Sequence, residues 1–164
     1  MPHRIARTFL RAAAFAAALL LADPAMASPF GTLFAGSSPA TLGVRDGRLA
    51  PCPDRPNCIS SQASDEAHRI APLAFAGDAP AAMAALAAVI RAMPRATIVT
   101  ARPDYLHVEF ASATMGFVDD AEFVLDAGAK RINLRSAARL GYRDFGVNHE
   151  RIEAIRTSFS TRQP

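Results

Sequence analysis

Residues 105–136 read YLHVEFASATMGFVDDAEFVLDAGAKRINLRS, and apolar and polar side chains alternate along three segments of this stretch. Such alternation places one set of side chains on each face of a β-strand. In the first segment, residues 105–111, the apolar face carries Leu106, Val108 and Phe110. The connections between the segments are short and contain glycine, which favours hairpins between successive strands. The stretch therefore predicts an antiparallel sheet with one apolar and one polar face.

The same alternation predicts the register of the last hairpin. Strands are expected over residues 117–126 and 131–136. Matching their apolar faces gives four opposed pairs, namely Phe123 with Leu134, Leu125 with Ile132, Glu122 with Arg135 and Asp126 with Arg131. Two of these pairs join opposite charges, and a slip of one residue would lose every match.

A helix is predicted before the sheet. Asp78 is a suitable N-cap, and Pro80 fits the first turn. Apolar residues then recur at helical spacing on one face, namely Met83, Leu86, Ala87 and Ile90. Pro94 ends this pattern, and residues 96–101 follow as one more β-strand.

A second helix is predicted over about residues 149–159. Asn148 is expected to be its N-cap, and Val147 and Ile152 have the spacing of a hydrophobic staple. Its apolar stripe consists of Ile152, Ile155 and Phe159. The predicted fold class is α+β, a four-stranded antiparallel meander with both helices covering its apolar face.

The first 27 residues have the composition of a secretory signal peptide. A basic start is followed by an apolar run over residues 12–22 and a small-x-small cleavage site, AMA, at residues 25–27. We expect cleavage after Ala27 and a periplasmic or secreted protein. The apolar run is too short for a stable anchor, so no membrane span is expected after cleavage.

The predicted mature chain divides into an arm and a single domain. Residues 28–50 are rich in glycine, proline and serine, and we expect them to form an extended, flexible arm. Residues 51–164 are expected to form one α+β domain. The full chain has a formal net charge of +3, much of which comes from arginines in the leader. This near-neutral mature chain and the predicted export argue against a nucleic-acid partner.

Cys52 and Cys58 are the only cysteines in the chain. In an oxidising compartment so close a pair is expected to form a disulfide, and Pro53 and Pro56 between them favour a tight turn. A redox pair and a pair of metal ligands are the alternatives. The spacing is not C-x-x-C and no second cysteine pair is present, which disfavours both.

Three ordered motifs resemble those of one protein family. They are CPDRPNCISS at residues 52–61, GFVDDAEF at residues 116–123, and RSAARLGYRDFGVN at residues 135–148 with Arg151, Ile152 and Glu153. On these motifs, and over residues 42–159, the chain resembles the domain of unknown function 1499 family. The resemblance implies a small domain, often exported or membrane-associated, with no established activity and no catalytic residues to carry over.

A candidate binding site combines the polar face of the sheet with the loop before the last helix. Its members are His107, Glu109, Glu122, Arg135, Arg139, Tyr142, Asp144, Asn148 and Arg151, with Tyr105, Asp120, Asn133 and Arg143 nearby. Arginine forks and a helix N-terminus both attract carboxylates and phosphates, so the set predicts a pocket for a small anionic ligand on an open sheet face. The same charges could instead form salt bridges that fix the loop to the sheet.

Catalytic and metal-binding alternatives centre on His107. His107 and Glu109 point the same way, with Glu122 beside them, which would suit a metal or a histidine general base. No recognised ligand spacing or catalytic motif accompanies them, so we expect neither a metal nor a cofactor. Asp119 and Asp120 are adjacent, face opposite sides of a strand and cannot form a catalytic pair; a backbone or loop hydrogen bond is expected for Asp119.

The predicted function is therefore a small ligand-binding or envelope-accessory domain with no chemistry of its own. Its partner would be a small anionic ligand or an envelope protein, and the oligomeric state is left open. The alternative is a small hydrolase or isomerase that uses His107, Glu109 and Arg135. An interaction module would instead carry an apolar surface patch, and the aromatics that no pattern buries are Phe30, Phe34, Phe117 and Phe145.

Overall fold

The computed structural model describes residues 33–162. The predicted signal peptide and residues 28–32 of the predicted arm lie outside these residues. Within the described part of the chain, no helix combines the length and apolar character needed to cross a membrane.

The fold is a six-stranded antiparallel sheet with two helices. The elements are β1 (Cys58–Ser60), β2 (Leu73–Ala74), α1 (Ala79–Arg91), β3 (Ala96–Arg102), β4 (Tyr105–Ala111), β5 (Val118–Asp126), β6 (Arg131–Ala138) and α2 (Val147–Ser160). The strand order is β1-β6-β5-β4-β3, and β2 also pairs with β6. The predicted meander is present as β3 to β6, but the expected count of four strands is wrong. The two additional strands are only two and three residues long, too short to show an alternating pattern.

The predicted register of β5 and β6 is confirmed. Phe123 lies opposite Leu134 and Glu122 lies opposite Arg135, as expected. The other two predicted pairs, Leu125 with Ile132 and Asp126 with Arg131, are also present. The register is well determined because apolar matching and charge matching favour the same alignment.

Both helices pack on the apolar face of the sheet, as predicted. The Asp78 carboxylate caps α1 by accepting a hydrogen bond from the Ala81 N–H at 3.1 Å. The predicted stripe of α1 is buried in one core with the apolar side chains of β4, β5 and β6. The stripe of α2, Ile152, Ile155 and Phe159, is buried in the same core.

The start of α2 differs from the prediction. The helix begins at Val147, and its N-cap is Gly146 with φ of 85°. Asn148 is not the N-cap but a buried residue of the first turn. The Asp144 carboxylate instead accepts hydrogen bonds from the N–H groups of Gly146 (3.1 Å) and Asn148 (3.0 Å). Val147 is the first residue of the helix, not the residue before its N-cap, and it is 46% exposed, so the predicted staple does not form.

The polar face of the sheet is covered rather than open. The Gly43 N–H donates a hydrogen bond to Glu122 Oε1 at 2.7 Å. Leu49 packs against Tyr105 and Val124 in a small second core on this face. The segment 33–50 therefore covers the part of the polar face that carries Tyr105 and Glu122.

The predicted disulfide between Cys52 and Cys58 is present, with the two Cα atoms 5.6 Å apart. It closes the turn that leads into β1. The Asn57 side-chain amide in this turn donates a hydrogen bond to the Gly141 carbonyl at 2.8 Å. The disulfide turn is thereby attached to the loop that precedes α2.

Candidate functional site

The predicted site residues lie in two groups on opposite faces of the sheet. One group, here called the buried polar layer, comprises Tyr105, His107, Glu109, Asp120, Glu122, Arg135 and Arg139. The other group lies around the start of α2 and includes Asp144, Asn148 and Arg151. Tyr142 belongs to neither group, because it is exposed on the loop between β6 and α2.

Glu122 is at the centre of one half of the buried polar layer. Its Oε1 atom accepts hydrogen bonds from the Tyr105 hydroxyl and the Gly43 N–H, both at 2.7 Å. Burial raises the pKa of Tyr105 well above its usual value, and the hydrogen bond to Glu122 raises it further. Arg135 Nη1 lies 3.8 Å from Glu122 Oε2. Within residues 33–162, neither Glu122 Oε2 nor Arg135 Nε has a hydrogen-bond partner.

Arg139 organises the other half of the layer. Its guanidinium donates two hydrogen bonds of 2.7 Å to the Asp120 carboxylate and a third to Glu109. His107 Nε2 lies 2.7 Å from Asp120 Oδ1. Burial acts to raise the pKa of Asp120, but hydrogen bonds from Arg139 and His107 outweigh it and leave this pKa below its usual value. The hydrogen bond to Asp120 in turn raises the pKa of Arg139.

His107, Glu109 and Asp120 each offer a possible metal-ligand atom, and these atoms lie within 4.8 Å of one another. An imidazole with two carboxylates is a donor set that suits a divalent transition metal. Arg139 already bonds to both carboxylates, so a cation would have to displace a guanidinium. The three side chains and Arg139 therefore form a network in which the arginine compensates the charges of the two carboxylates.

A cavity of about 320 Å³ lies on the opposite side, at the end of the sheet where β4 and β6 end. We call it the loop pocket. Its walls include Phe117, Leu140 and Phe145, and its charged lining consists of Asp119, Arg143, Asp144 and Arg151. A cavity of this size with mostly apolar walls and few polar groups is typical of small-molecule sites.

Arg151 forms the charged floor of the loop pocket. It donates hydrogen bonds to Asp119 Oδ2 at 2.6 Å and to Asn148 Oδ1 at 2.7 Å, and its guanidinium lies 4.7 Å from the centre of the Phe110 ring. Burial raises the pKa of Asp119 although Arg151 opposes the shift. Asn148 also donates to Asp144 at 2.8 Å, so Arg151 is held by several fixed contacts.

The family assignment follows from the same residues. The family described as protein of unknown function (DUF1499) matches residues 48–159, a range that contains both groups of polar residues. The chain belongs to the DUF1499 family. No curated protein and no solved structure matches the chain.

Two of the motifs quoted for the DUF1499 resemblance border the loop pocket. GFVDDAEF contributes Phe117 and Asp119, and the RSAARLGYRDFGVN motif contributes Leu140, Arg143 and Phe145. The motifs therefore line a cavity as well as forming secondary structure.

Sequence reasoning missed the role of Asp119. Strand parity placed its side chain opposite that of Asp120, and the structure agrees, since Asp120 bonds to Arg139 while Asp119 bonds to Arg151. The expected backbone or loop hydrogen bond is replaced by an ion pair with α2. The alternation of side chains along the strand predicts which face carries Asp119. It does not predict the partner, because the sequence does not show which end of α2 packs beside this strand.

Proposed function

We propose that this DUF1499 protein is an exported domain that binds a small anionic ligand in the loop pocket and carries no chemistry of its own. The observation that supports this proposal is a cavity whose apolar walls are combined with two arginines, Arg143 and Arg151. The export part of the proposal is based on the predicted signal peptide.

The two arginines have different roles in the proposed site. Arg151 is committed to Asp119 and Asn148, so it fixes the floor of the pocket. Arg143 is exposed and has no ion pair or hydrogen bond with any residue of the described range 33–162. An anionic group would pair with Arg143, while an apolar part of the ligand packs against Phe117, Leu140 and Phe145.

The rival hydrolase or isomerase has less support. Its proposed residues, His107, Glu109 and Arg135, belong to the buried polar layer, where His107 is only 5% exposed. Glu109 and Asp120 are bonded to Arg139, and segment 33–50 covers Glu122 beside them. The histidine is therefore buried and already bonded to Asp120, which leaves it poorly placed to act as a general base on a substrate.

Two measurements test ligand binding. The exported protein is expected to show a native mass above its denatured mass by a fixed amount, which identifies a retained ligand. Anilinonaphthalene sulfonate, an aromatic anion, is expected to bind saturably and to gain fluorescence. Absence of both excess mass and saturable probe binding would overturn the proposal.

A cavity-filling variant locates the binding. Ala138 lies opposite Asp119 in the sheet and lines the pocket, so Ala138→Leu reduces the space without a polar change. We expect this variant to bind the probe at least about tenfold more weakly. Ala88→Leu, on an exposed position of α1, is the matched control and should bind like the wild type.

A further inference from the structure

The exposed apolar side chains of this protein are concentrated at one end. Seven large hydrophobic residues are exposed within residues 33–162. Six of them form what we call the apolar tip, namely Leu33, Met115, Leu140, Tyr142, Phe145 and Val147. The seventh, Val99, lies on the edge strand β3. Clusters of this kind mark interaction sites, whereas scattered exposed residues need no explanation.

The fold brings these six residues together. Met115 lies in the β4–β5 connection, Leu140, Tyr142 and Phe145 lie in the β6–α2 connection, and Val147 is the first residue of α2. Both connections leave the same end of the sheet, because Ala111 pairs with Val118 and Asp119 pairs with Ala138. Leu33 joins them through its neighbour Phe34, whose ring centre lies 5.3 Å from that of Phe117.

Phe145 is the most prominent residue of the apolar tip. The residue is 89% exposed, and its backbone φ is 55°, in the left-handed region that a bulky residue adopts only at a cost. Internal packing cannot offset that cost, because the ring contacts mainly solvent. An external contact for the ring would account for both features.

We propose that the apolar tip docks onto the surface of a membrane that contains anionic phospholipid. The only exposed charge of residues 140–147 without a partner is that of Arg143, since the Asp144 carboxylate is bonded to the start of α2. Aromatic and leucine side chains beside an unpaired arginine suit the boundary between acyl chains and anionic headgroups. A dimer formed by a twofold axis through the tip would instead bring two Arg143 side chains into one small interface, where their like charges would repel.

The path of the chain supports a lipid surface. The predicted leader ends six residues before Leu33, so covalent reach keeps it within roughly 20 Å of the tip. The apolar tip is therefore the end of the domain that is tethered closest to the membrane before cleavage.

Vesicle flotation tests the proposal. Residues 28–164 contain the whole described fold and omit the leader, so any binding comes from the domain. We expect this protein to float with vesicles of phosphatidylglycerol and phosphatidylcholine and to bind pure phosphatidylcholine more weakly. The double variant Leu140→Ser/Phe145→Ser should lower the bound fraction at least about tenfold, because two inserted side chains are lost.

Matched variants separate the contributions. Val99→Ser removes an apolar side chain outside the tip that is about as exposed as Leu140 (50% against 44%), and this variant should float like the wild type. Arg143→Gln should remove the preference for phosphatidylglycerol. Ala138→Leu should still float, which separates membrane docking from ligand binding in the pocket.

Two outcomes would overturn the proposal. One is a wild type that binds neither vesicle, including the case in which light scattering shows a dimer formed through the tip. Another is a double variant with an unchanged circular dichroism spectrum that floats as well as Val99→Ser.

Discussion

Arg135 and Glu122 lie opposite each other as predicted, but their charged groups lack good hydrogen bonds to each other. The sequence predicts that they face each other, and they do. Both side chains are buried, yet their closest charged atoms are 3.8 Å apart. A buried ion pair without good hydrogen bonds is costly to dehydrate, and removing one partner costs more because it leaves the other charge uncompensated.

A double-mutant cycle tests this argument. Arg135→Met is expected to lower the free energy of unfolding by about 3–5 kcal/mol, since the Glu122 carboxylate is left buried and uncompensated. Adding Glu122→Gln should recover much of this loss, because the amide oxygen can still accept from Tyr105 and Gly43. Urea unfolding of the two single variants and the double variant gives the coupling energy.

The exposed ion pair of Arg131 and Asp126 provides the control for this cycle. Its side chains remain partly exposed, so Arg131→Met should cost no more than about 1 kcal/mol. Strictly additive losses for Arg135→Met and Glu122→Gln would contradict the uncompensated-charge argument.

Tyr105 is expected to make the free energy of unfolding depend on pH in the alkaline range. Its pKa is raised by burial and then by the hydrogen bond to Glu122, so the folded state holds the phenolic proton more tightly than the unfolded state. The resulting stabilisation is fully present below about pH 10 and is lost as pH rises towards the folded-state pKa. In a Tyr142→Phe variant, which has Tyr105 as its only tyrosine, absorbance at alkaline pH should report phenolate only when the protein unfolds. Ionisation near pH 10 in the folded protein would contradict this.

At the scale of elements, prediction succeeded where a pattern repeats and failed where a single local contact decides. The strands β3 to β6 and the stripes of both helices extend over several residues with a regular period. The start of α2 depends on Gly146, which is the N-cap, and on the Asp144 carboxylate, which accepts a hydrogen bond from the Asn148 N–H. The residues Gly146, Val147 and Asn148 are compatible with a helix capped by the glycine and with a helix capped by the asparagine. The sequence alone does not distinguish these two starts.

At the scale of the whole molecule, segment 33–50 decides what the polar face can do. It covers Glu122 through Gly43 and is anchored by Leu49, which is 6% exposed. The Glu122 carboxylate therefore attaches segment 33–50 to the sheet. In the loop pocket at the end of the sheet, by contrast, Arg143 remains exposed.

Leu49 provides a test of this covering role. Leu49→Ala is expected to lower the free energy of unfolding by about 2–5 kcal/mol, because it opens a cavity against Tyr105 and Val124. Leu33→Ala, at a 73% exposed leucine of the same segment, should change it by no more than about 0.5 kcal/mol. Equal effects in urea unfolding would show that the segment is not packed on the sheet.

The sequence by itself determined the meander, its register, the two apolar stripes and the disulfide, and it predicts the leader. These features depend on residues that are close in the chain, where spacing alone specifies the face of a strand or helix. It also supplied most of the charged candidates, but it combined the polar face of the sheet and the loop before α2 in one site.

Only the tertiary structure decided how these candidates are distributed. Arg139 reaches Glu109 and Asp120, Arg151 reaches Asp119, and Gly43 reaches Glu122 across 79 residues of chain. Such contacts depend on the path of loops and of the segment 33–50, which no periodic pattern specifies. The physical reason is that local spacing fixes the direction of a side chain, whereas its partner is fixed by which distant segment packs beside it.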